Sequence, residues 1–169
     1  MIGASEVGAA DGDSPRFLAD GMLGRLARWL RMLGFDTTYD ATLPDPALVR
    51  LADAEGRVLL TRDRHLLREL RPARAVEIRS EVPLEQLREL VTALALRPPA
   101  ELFTRCLVCN SPLSPPVPAV DAARELPPAA RDLPGPARRC PTCGRLYWHG
   151  SHVRRMRAAL ERALPGWGA

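Results

Sequence analysis

Four cysteines stand in two copies of one pattern, Cys106-Leu-Val-Cys109 and Cys140-Pro-Thr-Cys143, separated by residues 110–139. Two residues between thiols let one tight turn aim both sulfurs at a tetrahedral ion, and Gly144 eases the second turn. Four thiolates fill the coordination sphere, so the metal expected at Cys106, Cys109, Cys140 and Cys143 is a structural zinc holding a small ribbon together. Disulfide pairing is the competing interpretation, but nothing else in the chain indicates an oxidising compartment. A redox pair would need a thioredoxin-like surround at both sites. The spacer is longer than in a compact ribbon and carries runs such as Ser114-Pro-Pro-Val-Pro. It is therefore expected to be a floppy insertion, with no continuous helix or strand.

Ahead of the cysteines, short apolar runs alternate with helical stripes. Phe17-Leu18-Ala19 reads as a strand ending at Asp20, after which Met22, Leu23, Leu26, Ala27, Leu30 and Leu33 share a helix face up to Gly34. Asp36 to Tyr39 reads as a second strand ending at Asp40. Asp45 is placed to cap a helix opened by Pro46, with Leu48, Leu51 and Ala52 as its stripe until Gly56. Val58 to Thr61 is a continuous apolar strand of the kind buried on both faces, followed by Arg62-Asp63 and a short helix from about His65 to Leu70. Ala75 to Ile78 reads as a fourth strand, and Leu84, Leu87, Leu90, Val91 and Leu94 lie at helical spacing after Pro83. Such alternation predicts an α/β fold, a parallel sheet flanked by helices and wound with right-handed crossovers. Beyond the cysteines, Arg145 to His149 looks like a strand, and Ser151 is placed to cap a basic helix that Pro165-Gly166 ends.

The expected organisation is a disordered leader over residues 1–15, an α/β domain over 16–99, and a ribbon with its Pro-rich insertion and C-terminal helix over 100–169. With 46% hydrophobic and 26% charged residues in 169, the chain can bury a real core. No window approaches the roughly 20 apolar residues of a membrane helix, and the first fifteen residues carry acids where a signal peptide has basic and apolar regions. A cytoplasmic location, with no membrane partner, is expected.

In an open parallel sheet, functional groups gather beyond the carboxyl ends of the strands. Asp20, Asp40 and Asp63 fall there, and Asp45 shares the loop of Asp40. Carboxylates that converge without basic partners repel one another and persist where a divalent cation lies between them. Such a site suits metal-assisted cleavage of a phosphodiester, with Mg²⁺ or Mn²⁺ activating water and stabilising the leaving oxygen. Each acid also has a plainer role open to it: Asp45 as a helix cap, Asp40 as a solvated turn residue. Asp20 and Asp63 are harder to dismiss, because each ends an apolar run where a turn more often carries Asn or Gly.

The run FLADGMLGRLARWLRMLGFD from Phe17 to Asp36, the stretch DPAL from Asp45, GRVLLTRDR from Gly56 to Arg64, and the closing CPTCGRLYWHGSH from Cys140 to His152 together resemble the PIN-like ribonuclease family of the Mut-seven C-terminal type. That family joins a PIN-like domain to a C-terminal zinc ribbon, and the resemblance runs from about Arg16 to Leu164. It implies a metal-dependent RNase in which Asp20 and Asp63 bind the metal and Asp45 matches the acid opening the helix after the second strand. PIN nucleases use three or four acids, and after Asp63 no equally well placed fourth follows. Asp40 is the candidate to complete the site. The resemblance also admits a homodimer, since PIN-like domains often pair.

All 24 basic residues are arginine, and the net charge is +4. Genomic codon bias accounts for this without function, whereas a phosphate-binding surface would use the planar guanidinium fork. Arg25, Arg28 and Arg31 recur every three residues on the first helix, beside or opposite its apolar stripe, and form a solvated face unless they hold phosphates. Arg62 and Arg64 flank Asp63, and the last helix adds Arg154, Arg155, Arg157 and Arg162. Trp29, Tyr147 and Trp148 are candidates to stack on bases, although Trp29 lies near the apolar stripe and is expected in the core. His149 and His152 are surplus to the zinc set, with packing or phosphate contact open to them. The expected function is a metal-dependent ribonuclease acting on RNA. A catalytically inactive RNA-binding or ribosome-associated module is the alternative, and an adaptor built on the ribbon a third.

Overall fold

The computed structural model describes residues 14–131 and 135–168. Apart from Ser14 and Pro15, the leader expected over residues 1–15 lies outside them. Four strands, β1 (Phe17–Ala19), β2 (Thr37–Tyr39), β3 (Val58–Thr61) and β4 (Ala75–Glu77), form one parallel sheet in the order β2-β1-β3-β4. Both neighbours of β1 are parallel to it, which buries Phe17, Leu18 and Ala19 completely and explains why that run has no polar alternation. Helices α1 (Gly24–Met32) and α4 (Pro83–Ala93) cover one face, and α2 (Asp45–Glu55) and α3 (Arg64–Leu70) the other.

Side chains of each strand divide between the two layers by the pleat. Phe17, Ala19, Val58 and Leu60 join Leu23, Leu26, Leu30, Leu87 and Leu90, whereas Leu18 and Leu59 join Leu48, Val49, Ala52 and Leu66. Burying each large aliphatic side chain contributes roughly 2 kcal/mol. Helix ends follow local chemistry: Gly56 caps α2 in a left-handed conformation at φ 62°, and Asp63 caps α3 by accepting the N–H groups of His65 and Leu66.

Several local expectations are corrected. Asp45 is the first residue of α2 and not its cap, because Pro44, extended at φ −68° and ψ 151°, takes that position and leaves Pro46 inside the first turn. Gly150, not Ser151, precedes α6 (Ser151–Ala163), and the Ser151 hydroxyl makes no cap bond. Helix α1 starts at Gly24, so Met22 sits in the preceding turn and is 65% exposed instead of facing the core. Gly24 lets the Tyr39 ring pack close, since a Cβ would lie 2.9 Å from it.

Beyond α4 the ribbon contributes a two-stranded antiparallel sheet of β5 (Arg138–Arg139) and β6 (Leu146–Tyr147), then α6. The described part of the Pro-rich insertion is structured: α5 (Ala119–Glu125) and a 3-10 turn at Pro128–Ala130 bury Ala122, Leu126, Ala130 and Ala137 against Val117, Leu146 and Trp148. Pro118 precedes α5 and Pro128 opens the 3-10 turn, positions where a missing N–H costs little. The main core does not stop at the ribbon, because Leu102, Phe103, Leu107, Val153, Leu160 and Trp167 belong to the same cluster as Phe17 and Leu26. Among the described residues, no helix is long and apolar enough to cross a membrane.

Candidate active site and metal centre

With strand order β2-β1-β3-β4, the chain leaves β1 in one direction and returns on its other side at β3, so the topological switch point lies beyond β1 and β3. Asp20 follows β1 and Thr61 ends β3. Asp20 is buried, and all its contacts come from neutral donors. The Met22 N–H donates to its Oδ1 at 2.9 Å, while the Thr61 hydroxyl and the Arg62 N–H donate to Oδ2. The Thr61 oxygen in turn accepts the Asp63 N–H at 2.9 Å. One buried threonine thus ties the two acids together, a role that the sequence reading missed.

Asp63 spends one oxygen on the α3 cap, with His65 N–H at 2.7 Å and Leu66 N–H at 3.1 Å, leaving Oδ2 without a partner among the described residues. Asp40 is exposed. Its Oδ1 accepts the Thr42 hydroxyl and the N–H groups of Thr42 and Leu43, bonds that hold its carboxyl below the usual range. Asp45 is exposed on the first turn of α2. None of Asp20, Asp40, Asp45 and Asp63 enters an ion pair among the described residues, although most other acids near arginines do. Their ligating oxygens are not drawn into one tight group: among the described residues, only the cysteines form a set of three or more metal-ligating side chains within 4.8 Å.

Mg²⁺ keeps several waters and takes one or two carboxylates, so a loose acidic crevice with open oxygens is compatible with it. A carboxylate offers about four lone-pair positions. Asp20 has used three, and Asp63 two.

The arginines divide. Arg62 pairs with Glu81 at 2.8 Å and Arg64 with Glu77 at 2.7 Å, so both are partly neutralised beside the crevice. Arg25, Arg28, Arg154 and Arg155 are exposed and enter no ion pair among the described residues. Arg31 is not part of a solvated stripe. It is 5% exposed, and its guanidinium donates to the carbonyls of Thr37 at 2.9 Å, Leu107 at 3.2 Å and Val108 at 2.8 Å. Helix α1 is thereby pinned to the first cysteine turn.

Cys106, Cys109, Cys140 and Cys143 bring their sulfurs within 4.8 Å of one another, with Cys106–Cys143 at 3.6 Å and Cys109–Cys140 at 3.4 Å. A tetrahedral ion with Zn–S bonds of about 2.3 Å needs sulfurs about 3.8 Å apart, so the set fits zinc. The two turns are alike. Asn110 N–H reaches the Cys106 carbonyl and Gly144 N–H the Cys140 carbonyl, each at 3.0 Å, with left-handed φ of 70° and 74°. Asn110 also accepts the Thr37 N–H at 2.9 Å and donates to Asp36 at 2.7 Å, seating the turn on the start of β2. Tyr147 places its hydroxyl 3.1 Å from Cys106 Sγ, and Trp148 packs on the insertion, so both aromatics serve the ribbon.

His149 lines a cavity of about 160 Å³ with Glu101, Arg138 and Arg157. Burial first, then the charges of Arg157 and Arg138, push its pKa down. His152 is exposed at the start of α6.

The Mut7-C RNAse domain family matches residues 15–160, a span that takes in the sheet, both cysteine pairs and most of α6. No curated protein and no solved structure gives a significant match. With two acids tied together through Thr61 at the switch point, a four-cysteine ribbon seated on α1 and the start of β2, and a family match over residues 15–160, this protein belongs to the Mut7-C RNAse domain family.

Proposed function

We propose that the protein is a metal-dependent ribonuclease that hydrolyses RNA phosphodiester bonds at the crevice formed by Asp20, Asp63, Asp45 and Asp40. The observation that carries this reading is Asp20: a buried carboxylate held by three neutral donors and, among the described residues, paired with no cation, beside a second acid with an oxygen that none of them occupies. Burying an unpaired charge is costly, and the cost persists where a cation is recruited from solution. Asp20 and Asp63 would hold Mg²⁺ or Mn²⁺, with Asp45 and Asp40 closing the crevice on the α2 side. The ion, when bound, supplies charge neutralisation for the phosphodiester and acidifies water. The protein's own contribution is orientation. Thr61 fixes the Asp20 carboxylate plane, the α3 cap fixes Asp63, and exposed Arg25 and Arg28 draw the RNA backbone to the same end of the sheet. The ribbon, with a structural zinc on Cys106, Cys109, Cys140 and Cys143, braces α1 through Arg31.

A panel of single-stranded and structured RNAs incubated with Mn²⁺, with Mg²⁺, or after dialysis free of both tests the reading. Dialysis replaces a chelator because a chelator would also strip the ribbon. Products that need the added ion support it, and intact RNA under every condition overturns it. One observation favours a second reading, an RNA-holding module without catalysis: no three acids at the crevice lie within 4.8 Å of one another. That module would bind RNA in a salt-sensitive way with no need for Mg²⁺.

A further inference from the structure

A groove of about 380 Å³ runs between α1, the start of α4 and α6. Its floor is apolar, built from the half-buried Trp29 with Leu84 and Met156, and its rim carries Arg25, Arg28 and His152. Val82, on the edge, is 56% exposed. We propose that this groove is a nucleotide subsite that takes one base of a single-stranded RNA against Trp29, with the flanking phosphates on Arg25 and Arg28.

Position is the first argument. In a parallel sheet, helices begin at the carboxyl ends of the strands, so α1 starts just past Asp20 and α4 just past β4. Arg25 is the second residue of α1 and Arg28 lies one turn further, about 4.5 Å along the axis. The groove therefore opens at the same end of the sheet as the acids, and one strand of RNA can touch both.

Charge is the second argument. Arg62, Arg64, Arg88, Arg138 and Arg139 all pair with acids, whereas Arg25 and Arg28 pair with none among the described residues. Arg155 stands three residues after His152 on the adjoining face of α6 and is likewise unpaired. Unneutralised guanidinium groups around an apolar, aromatic floor complement a ligand that is anionic along one edge and flat and apolar along the other. A nucleotide of single-stranded RNA has that form, and base stacking on an aromatic ring tolerates any sequence. Duplex RNA offers no free base to such a groove. Free phosphate has no use for the apolar floor.

The inference rests on RNA being the substrate, as proposed above. The probe is a fluorescein-labelled oligouridylate hexamer, read by anisotropy with the full chain carrying Asp63→Asn, zinc retained and no Mg²⁺ or Mn²⁺ added. Trp29→Leu keeps apolar bulk against the core and is expected to weaken binding about tenfold with an unchanged salt slope. Arg28→Glu, at an exposed position without partners among the described residues, is expected to weaken it at least tenfold and to lower the salt slope. Should Trp29→Leu fail to fold, Arg28→Glu and His152→Ala still decide. Binding within twofold of the parent for these variants overturns the subsite. Equal competition by a polyglutamate heptamer and unlabelled hexamer also overturns it, since the groove would then be a docking site for acidic peptides. Cleavage by the Asp63 chain is scored separately. Cleavage with unchanged binding sinks the subsite alone, whereas absent cleavage with variant-sensitive binding sinks the nuclease and leaves the subsite standing.

Discussion

Thr61 donates its hydroxyl proton to the buried carboxylate of Asp20, and the same oxygen accepts the backbone N–H of Asp63. The last residue of β3 therefore sets the relative placement of the two acids on which the nuclease proposal depends. Thr61→Val keeps the shape and removes the hydroxyl. It is expected to cost about 1–2 kcal/mol, since a buried carboxylate loses a donor, and to lower RNA cleavage at least tenfold. Thr61→Ser should recover most of both. Urea midpoints and initial cleavage rates check this, and a Thr61→Val protein with parental rate would contradict the role.

Arg31 should matter for stability out of proportion to its appearance in the sequence. Arg31→Ala strands three carbonyls, two of them in the first cysteine turn, and is expected to cost about 3 kcal/mol. Arg31→Lys should not rescue it, because an ammonium lacks the fork that reaches Thr37 and the ribbon at once. Thermal melting decides, and a lysine variant melting with the parent would show that charge alone suffices.

Zinc is expected at one ion per chain, and its removal should reach beyond the ribbon. The sulfurs hold the turn on which Arg31 and Asn110 are anchored, and Leu102, Phe103 and Leu107 share the main core. Chelation, or Cys109→Ser with Cys143→Ser, should lower the melting temperature of the whole molecule in a single transition. Metal analysis and calorimetry test this. A separate low-temperature transition, with the sheet melting unchanged, would contradict it.

Asp36 gives a pH dependence of known sign. Burial raises its carboxyl, but the hydrogen bonds from Arg57 and Asn110 and the charges of Arg57 and Arg105 outweigh that and hold its pKa below the usual range. A carboxyl lower in the folded than in the unfolded chain contributes stability above its unfolded pKa of about 4 and loses it as pH falls through the folded value. Asp36→Asn should therefore be less stable than the parent at pH 6, with the gap closing toward pH 3. Urea titrations at both values check this, and a gap that does not shrink would assign the loss to packing instead.

Much of this architecture is legible in the chain. Apolar runs of three or four residues ending in Asp20 and Thr61-Arg62-Asp63 marked parallel strands and the crevice, and the cysteine spacing marked the ribbon. What was missed depends on contacts distant in sequence. Arg31 keeps the three-residue spacing of Arg25 and Arg28 and reads as solvated, until the Leu107 carbonyl 76 residues away covers it. Asn110 did leave a signal, since it follows Cys109 as Gly144 follows Cys143, and asparagine is among the few other residues at home in a left-handed turn. Pro44-Asp45-Pro46 admits two helix starts, and only the extended backbone of Pro44 decides between them. In the insertion, proline density masks Ala122, Leu126 and Ala130, whose spacing of four is the mark of a buried stripe.

The central claim turns on the charge of Asp63. Asparagine caps a helix as well as aspartate does, so Asp63→Asn should keep the α3 cap, the fold and the melting temperature while removing the negative charge of the carboxylate. Parent and variant should be compared on the same RNA with Mn²⁺. Cleavage by the parent, with a loss of at least a hundredfold in a variant that melts at the same temperature, is the predicted result. A variant that cleaves as fast as the parent would contradict the assignment of this crevice as the active site.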